Sequence, residues 1–235
     1  MSRTPQTPEA EAQALRDICE ALGLAASVEQ IDQMLRYLAL LRRWNGTYNL
    51  TAVREPQAML TQHLADCLAA VAALERRTEF AKEAAILDVG SGGGLPGVLL
   101  AIFRPAAHVT CIDAVAKKAA FVRQVAGALP LPGLTAEHGR VEQAAAGGAV
   151  DLVTARAFAS LADLTRLSRH RLKPAGLWMA MKGVRPDDEI ADLPRDIEVF
   201  HVEPLNVPGL QAARCIVWMR LARDSGARIG PESAG

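Results

Sequence analysis

Apolar residues follow two different periods along this chain, and the change from one to the other falls near position 80. Before it the spacing is helical. Leu15, Ile18, Cys19 and Leu22 recur at three and four residues, and Gly23 supplies a C-terminal stop. Ser27 and Gln30 form a capping box ahead of a second helix whose buried stripe is Ile31, Met34, Leu35, Leu38 and Leu41, with Trp44-Asn45-Gly46 as its end. Pro56 opens a third helix carrying Met59, Leu60, His63, Leu64, Cys67, Leu68 and Val71 on one broad face.

Beyond Lys82 the pattern becomes short apolar runs, which predict strands near 84–89, 107–113, 133–138, 149–154, 175–182, 197–202 and 213–220. Helical stretches separate most of them, the signature of βαβ units in a doubly wound, mostly parallel sheet. Pro204, Pro208 and Gly209 leave no room for a helix between the last two runs, which are therefore expected to pair antiparallel at one edge. The chain divides into a disordered start (1–8), a helical cap (9–80), an α/β domain (81–222) and a Gly/Ser/Pro-rich disordered tail (223–235).

With 235 residues, half of them hydrophobic and 22% charged, the chain can bury an ordinary core without staples. No apolar stretch approaches the ~20 residues of a membrane span, and the N-terminus lacks a secretory pattern. Four scattered cysteines without Cys-x-x-Cys argue against zinc or a disulfide framework and for the cytoplasm. The 26 basic and 26 acidic residues cancel, so a grip on naked nucleic acid by bulk charge is disfavoured.

The most specific feature is Asp88-Val89-Gly90-Ser91-Gly92-Gly93-Gly94-Leu95-Pro96-Gly97, a strand end passing into a helix start, where glycines let the backbone approach a ligand. Gly92-x-Gly94-x-x-Gly97 satisfies the dinucleotide fingerprint, with Asp113 placed to accept a ribose hydroxyl. The same residues fit Asp-x-Gly-x-Gly-x-Gly, the pattern of nucleotide-fold methyltransferases that bind S-adenosylmethionine. Two points favour that second reading. Asp88 sits badly beside a pyrophosphate yet suits the cationic donor, and an antiparallel seventh strand at the sheet edge is the methyltransferase topology, of the Rossmann-like class I kind.

Absent chemistry narrows the acceptor. The fourth strand runs into Thr154-Ala155-Arg156-Ala157-Phe158-Ala159, without the Asn/Asp-Pro-Pro-aromatic segment that accompanies methylation of exocyclic base amines. No cysteine sits in a loop after the fourth or fifth strand, as attack on pyrimidine carbon 5 requires. A ring nitrogen with a free lone pair, such as guanine N7, needs neither device.

From about position 28 to 220 the chain resembles the 16S ribosomal RNA guanine-N7 methyltransferases, long known as glucose-inhibited division protein B. Three blocks carry the likeness. They are Arg43-Trp44-Asn45 with Tyr48-Asn49-Leu50-Thr51, Arg54, His63 and Asp66; the glycine loop with Asp113 and Lys117-Lys118; and Arg140-Val141-Glu142, Arg156-Ala157-Phe158-Ala159 and Lys182-Gly183. Cys67 and Ala114 depart from it, standing where serine is expected. The resemblance implies S-adenosylmethionine as cofactor, held at Gly90, Leu95, Val141, Glu142 and Arg156, in addition to Asp88, Gly92, Gly94 and Asp113 from the loop pattern. It implies methylation of guanine N7 in a decoding-region loop of 16S rRNA. Arg156 and Lys182 would orient the substrate, Asn49, Arg54 and His63 would support it from the cap, and Lys117 and Lys118 would reach phosphate. No general base, metal or membrane is called for, and a monomer acting on the 30S subunit or a precursor is expected. A non-enzymatic rRNA-binding or assembly factor, or a nicotinamide oxidoreductase, remains as the alternative.

Overall fold

Seven strands form one sheet in the order β3-β2-β1-β4-β5-β7-β6, in a computed structural model that describes residues 7–78, 80–144 and 148–222. They are β1 (Ala85–Val89), β2 (His108–Asp113), β3 (Leu134–His138), β4 (Val150–Arg156), β5 (Leu172–Lys182), β6 (Ile197–Leu205) and β7 (Arg214–Leu221). The first five pair in parallel, whereas β7 runs antiparallel to both β5 and β6. The antiparallel pair therefore closes one side of the sheet, with β6 outermost and β7 one place in. The terminal stretches expected to be disordered fall largely on residues 1–6 and 223–235, outside the described residues.

Strand alternation sorts side chains onto two covered faces. Met179, Met181, Ile216 and Trp218 point into a cluster that also holds the buried residues of α1 (Pro8–Ala21), α2 (Val28–Tyr48), α4 (Asp66–Glu75), α5 (Gly97–Phe103) and α6 (Ala116–Ala128). Trp178, Ala180, Val217 and Met219 point the other way, against Leu161 and Leu164 of α7 (Leu161–Ser168). The N-terminal helices thus share one core with the sheet. Removing a fully buried member such as Leu68 or Leu38 would cost roughly 2–5 kcal/mol.

Two helix expectations change in the structure. The capping box at Ser27 and Gln30 forms, but α2 does not end at Gly46. A helical glycine costs only about 1 kcal/mol, so the helix continues to Tyr48, and Asn49 stops it with φ of 48°. The Asn45 side chain then accepts from Thr51 N–H at 2.8 Å and ties down the following turn. The third helix is three pieces: α3 (Pro56–Met59), a π-helical turn at Leu60–Ala65, and α4. That wider turn re-aims His63 and Asp66, a common device at functional sites.

Among the described residues no helix is long and apolar enough to cross a membrane. The sheet order reverses between β1 and β4, so the crevice beyond their C-terminal ends is where an open α/β sheet accepts ligands.

Candidate active site

A cavity of about 620 Å³ opens at that crevice. Its near wall is backbone. Gly90 and Gly92 have φ of +66° and +59°, a region that disfavours side chains, and a Cβ at Gly92 would meet nothing within 4 Å. The Asp113 carboxylate fixes this loop, accepting from Gly92 N–H at 2.9 Å and from Val115 N–H at 2.8 Å. Helix α2 packs over it. Tyr37 Oη donates to the Gly93 carbonyl at 2.8 Å, and Leu41 Cδ1 would touch a Cβ built on Gly93 at 3.3 Å.

The far wall consists of side chains from distant parts of the chain. Asp66 is buried, and its Oδ1 accepts from Arg214 Nε at 2.9 Å while Oδ2 stands 3.7 Å from an Arg156 guanidinium nitrogen. Arg156 also donates to the Gln62 carbonyl at 3.2 Å. His63 does not bond Asp66, despite their spacing on one helix. Its Nε2 pairs with Thr51 Oγ1 at 2.8 Å, and burial together with the nearby Arg156 charge lowers its pKa to about 4. Lys182 is held by both Glu189 oxygens at 2.9 and 2.8 Å, and the same carboxylate accepts from the first N–H of α7. Phe158 packs 3.6 Å from a Cβ built on Gly90 and roofs the loop.

Of the residues singled out from sequence, Gly90, Gly92, Leu95, His63, Lys118, Arg156 and Lys182 line this one cavity. Asp113 reaches it through Gly92. Asp88 does not face it. Its side chain has no exposed surface, lies behind the loop and accepts from Gly97 N–H at 2.9 Å, leaving Oδ1 without a partner. Desolvation pushes its pKa up to about 7. This geometry replaces the expected contact with a cationic ligand by a structural role. Gly94 likewise supports the loop from inside, since a Cβ there would meet Val98 at 2.7 Å.

Val141 and Glu142 form a 3-10 turn outside the cavity lining, with Val141 buried. Asn49 and Arg54 bond each other at 2.6 Å on the cap surface, and Lys117 donates to the Tyr48 carbonyl at 2.7 Å. Sequence reasoning missed Arg214 and Gln62, and had Asp66 among the residues that carry the family resemblance without a role in the site. No spacing marks them, because the contacts that define them span 148 and 94 positions.

The donor set excludes some chemistry. All four cysteines are buried, with burial pushing Cys19 up to about 11 and Cys67 up to about 12, so none is a ready thiolate. Among the described residues no group of three or more His, Cys, Asp or Glu side chains is placed to hold a metal ion.

Comparison with known proteins agrees with this geometry. The family described as GidB, rRNA small subunit methyltransferase G, matches residues 30–217. A protein of Acidovorax sp. (strain JS42) named Ribosomal RNA small subunit methyltransferase G is 57% identical over 214 residues, covering 88% of this chain and 94% of that protein. One of the same name from Methylibium petroleiphilum is 55% identical, covering 93% and 98%. Among solved structures, the glycopeptide N-methyltransferase MtfA complexed with S-adenosyl-L-methionine superposes with a TM-score of 0.56 at 13% identity, covering 67% of this chain and 94% of that one. TrmN from Thermus thermophilus gives 0.53 at 19% identity, covering 66% and 48%. At such identities these likenesses establish the fold, that of class I methyltransferases.

Proposed function

Because the chain belongs to the rRNA small subunit methyltransferase G family, we propose that it transfers a methyl group from S-adenosylmethionine to N7 of a guanine in 16S rRNA. Family membership removes the ground for the nicotinamide alternative. The observation that supports the N7 assignment is the character of the far wall: its carboxylate, Asp66, is engaged by Arg214 and Arg156, so that the wall turns guanidinium donors toward the acceptor. The thiols stay protonated, and His63 is tied to Thr51 with burial and the Arg156 charge keeping its ring neutral. Guanine N7 carries no proton to remove.

The near wall suits the donor. Gly92 leaves open space where any side chain would stand, and Asp113 sits at the β2 end beside it, where ribose hydroxyls are bound in this architecture. When bound, S-adenosylmethionine supplies a methyl group activated by its sulfonium. Gly90, Gly92 and Leu95 would hold it against the sheet, with the Asp113 carboxylate toward its ribose. Arg156 and Arg214, clamped by Asp66, are the donors available to O6 on the Hoogsteen edge, and Lys182 lies on the same wall. Such positioning is worth up to ~7–11 kcal/mol when the geometry is right, enough to run the transfer without acid–base help.

The balanced charge bears on the form of the substrate. A protein gripping free RNA by phosphate contacts alone needs a basic surplus, and this chain has none. We therefore assign it a folded loop presented by the 30S subunit or a precursor. Purified protein, labelled S-adenosylmethionine and either 30S subunits or protein-free 16S rRNA provide the test. Incorporation far greater into 30S is expected; no incorporation into either overturns the methyltransferase reading, and equal rates overturn the particle preference alone.

A further inference from the structure

A second concavity of about 360 Å³ lies on the outer side of the cap, between α2 and α6, lined by Leu40, Arg43, Trp44, Thr47, Tyr48 and Gln124. Its floor is anchored. The Trp44 ring meets the buried Phe121 edge-on at 5.5 Å and carries Tyr48 against it at 5.0 Å, inclined by 41°. Tyr48 itself remains 46% exposed. Arg43 is exposed and, among the described residues, engages no carboxylate. The Lys117 ammonium reaches the same rim through its bond to the Tyr48 carbonyl.

The chain that borders this groove runs on into the cleft wall. Leu50 and Thr51, the second and third residues after Tyr48, line the cleft, as does Lys118 beside Lys117. Two residues of chain span at most ~7 Å, so the Tyr48 backbone lies within that distance of the cleft wall.

We propose that the groove is a stacking site for an unpaired nucleobase flanking the guanine that enters the cleft. Tyr48 provides the aromatic platform, and Arg43 and Lys117 lie where the strand's phosphates pass. Unpaired RNA bases are held in this way, on aromatic rings beside cationic side chains, with little dependence on base identity. The proposal deepens the RNA-methylation reading and rests on it.

Two measurements test it separately from that reading. In the first, methyl transfer to 30S subunits is followed for the wild type, Tyr48→Phe, Tyr48→Ala and Arg43→Gln. Tyr48→Ala is expected to raise the KM for 30S about tenfold, a stacking contribution of ordinary size. Arg43→Gln should raise it a few-fold and flatten its salt dependence, while Tyr48→Phe, which keeps the ring, stays close to the wild type. Affinity for S-adenosylhomocysteine and the circular dichroism spectrum should match across all four. In the second, a single-stranded RNA hexamer carrying 2-aminopurine is titrated with the same proteins, and its quenching on stacking should be lost with Tyr48→Ala.

An active wild type with KM unchanged in Tyr48→Ala overturns the stacking site and leaves the methyltransferase reading standing. An inactive wild type overturns that reading instead, and the hexamer still decides the groove. A KM effect on 30S with unaltered hexamer quenching means that a ribosomal protein covers the ring, and the RNA assignment falls.

Discussion

One stretch of chain, from the end of β1 to the start of α6, builds the donor wall of the cleft almost wholly from backbone, while the opposite wall is assembled from side chains on α4, the π-helical turn, β4, β5 and β7. The first wall is held by local bonds such as Asp113 to Gly92 and Val115. The second is held by one buried carboxylate, Asp66, that reaches Arg156 and Arg214. A backbone wall tolerates few residue types, because positive φ and close approach are conditions on the chain itself. A side-chain wall depends on charge pairing, so a single substitution can disable it without touching the donor.

That difference predicts separable failures. The largest effect is expected at the donor wall. Gly92→Val forces a β-branched residue into positive φ and projects it into open cavity, so affinity for S-adenosylhomocysteine should fall more than about 100-fold, or ~2.7 kcal/mol. Asp113→Ala, which frees the Gly92 N–H of the loop and the Val115 N–H ahead of α6, should cost roughly 10- to 150-fold in the same titration. Affinity within threefold of the wild type in both variants would detach the loop from donor binding.

At the opposite wall the pattern should invert. Asp66→Ala leaves two guanidinium groups without their shared carboxylate, and stability should drop by roughly 2–4 kcal/mol in urea unfolding. Methyl transfer should fall steeply while S-adenosylhomocysteine binds as in the wild type. Equal loss of donor affinity would show that the two walls are not independent.

A smaller effect pairs a buried group of the far wall with one buried behind the glycine loop. His63, with its pKa lowered to about 4, resists the proton that an unfolded histidine takes near 6.5, so its contribution to stability is lost as pH falls from about 6.5 to 4. Asp88 acts in the opposite sense. Raised to about 7, it keeps a proton that the unfolded chain releases near 3.8, so its contribution is present at low pH and lost as pH rises toward 7. Each is worth a few kcal/mol at most, and the two largely offset each other between pH 4 and 6.5. Unfolding experiments across that window should therefore find His63→Gln gaining stability on acidification and Asp88→Asn losing it. Parallel slopes in the two variants would contradict the opposed burial of these groups.

The same contrast explains what could be read from the sequence. Strand runs, the Ser27 capping box and the glycine loop were legible because each is a local condition written in neighbouring residues. The place of Asp88 was not, since its position before the first glycine fits a ligand contact as well as a bond to Gly97 N–H; only the fold shows which side of the loop it occupies. The π-helical turn at Leu60–Ala65 leaves the apolar period nearly unchanged, so the redirection of His63 and Asp66 was hidden. Arg214 stands at the start of a strand next to an irregular turn, and it gains its meaning only when β7 inserts beside β5 and brings it to Asp66. Gly46 misled the placement of the α2 end because the backbone conformation of Asn49, three residues later, provides the stop.

The central claim is that a wall of guanidinium donors, clamped by Asp66, positions an acceptor that has no proton to lose. Its most direct measurement is the position of the methyl group. 16S rRNA from 30S subunits treated with the protein and S-adenosylmethionine would be reduced with borohydride, cleaved with aniline at N7-methylguanine and mapped by primer extension. A single new stop, one nucleotide from a guanine in a decoding-region loop and absent without the protein, is the predicted result. Methyl incorporation without aniline cleavage, placing the group on an exocyclic amine, a carbon or a ribose hydroxyl, would contradict it.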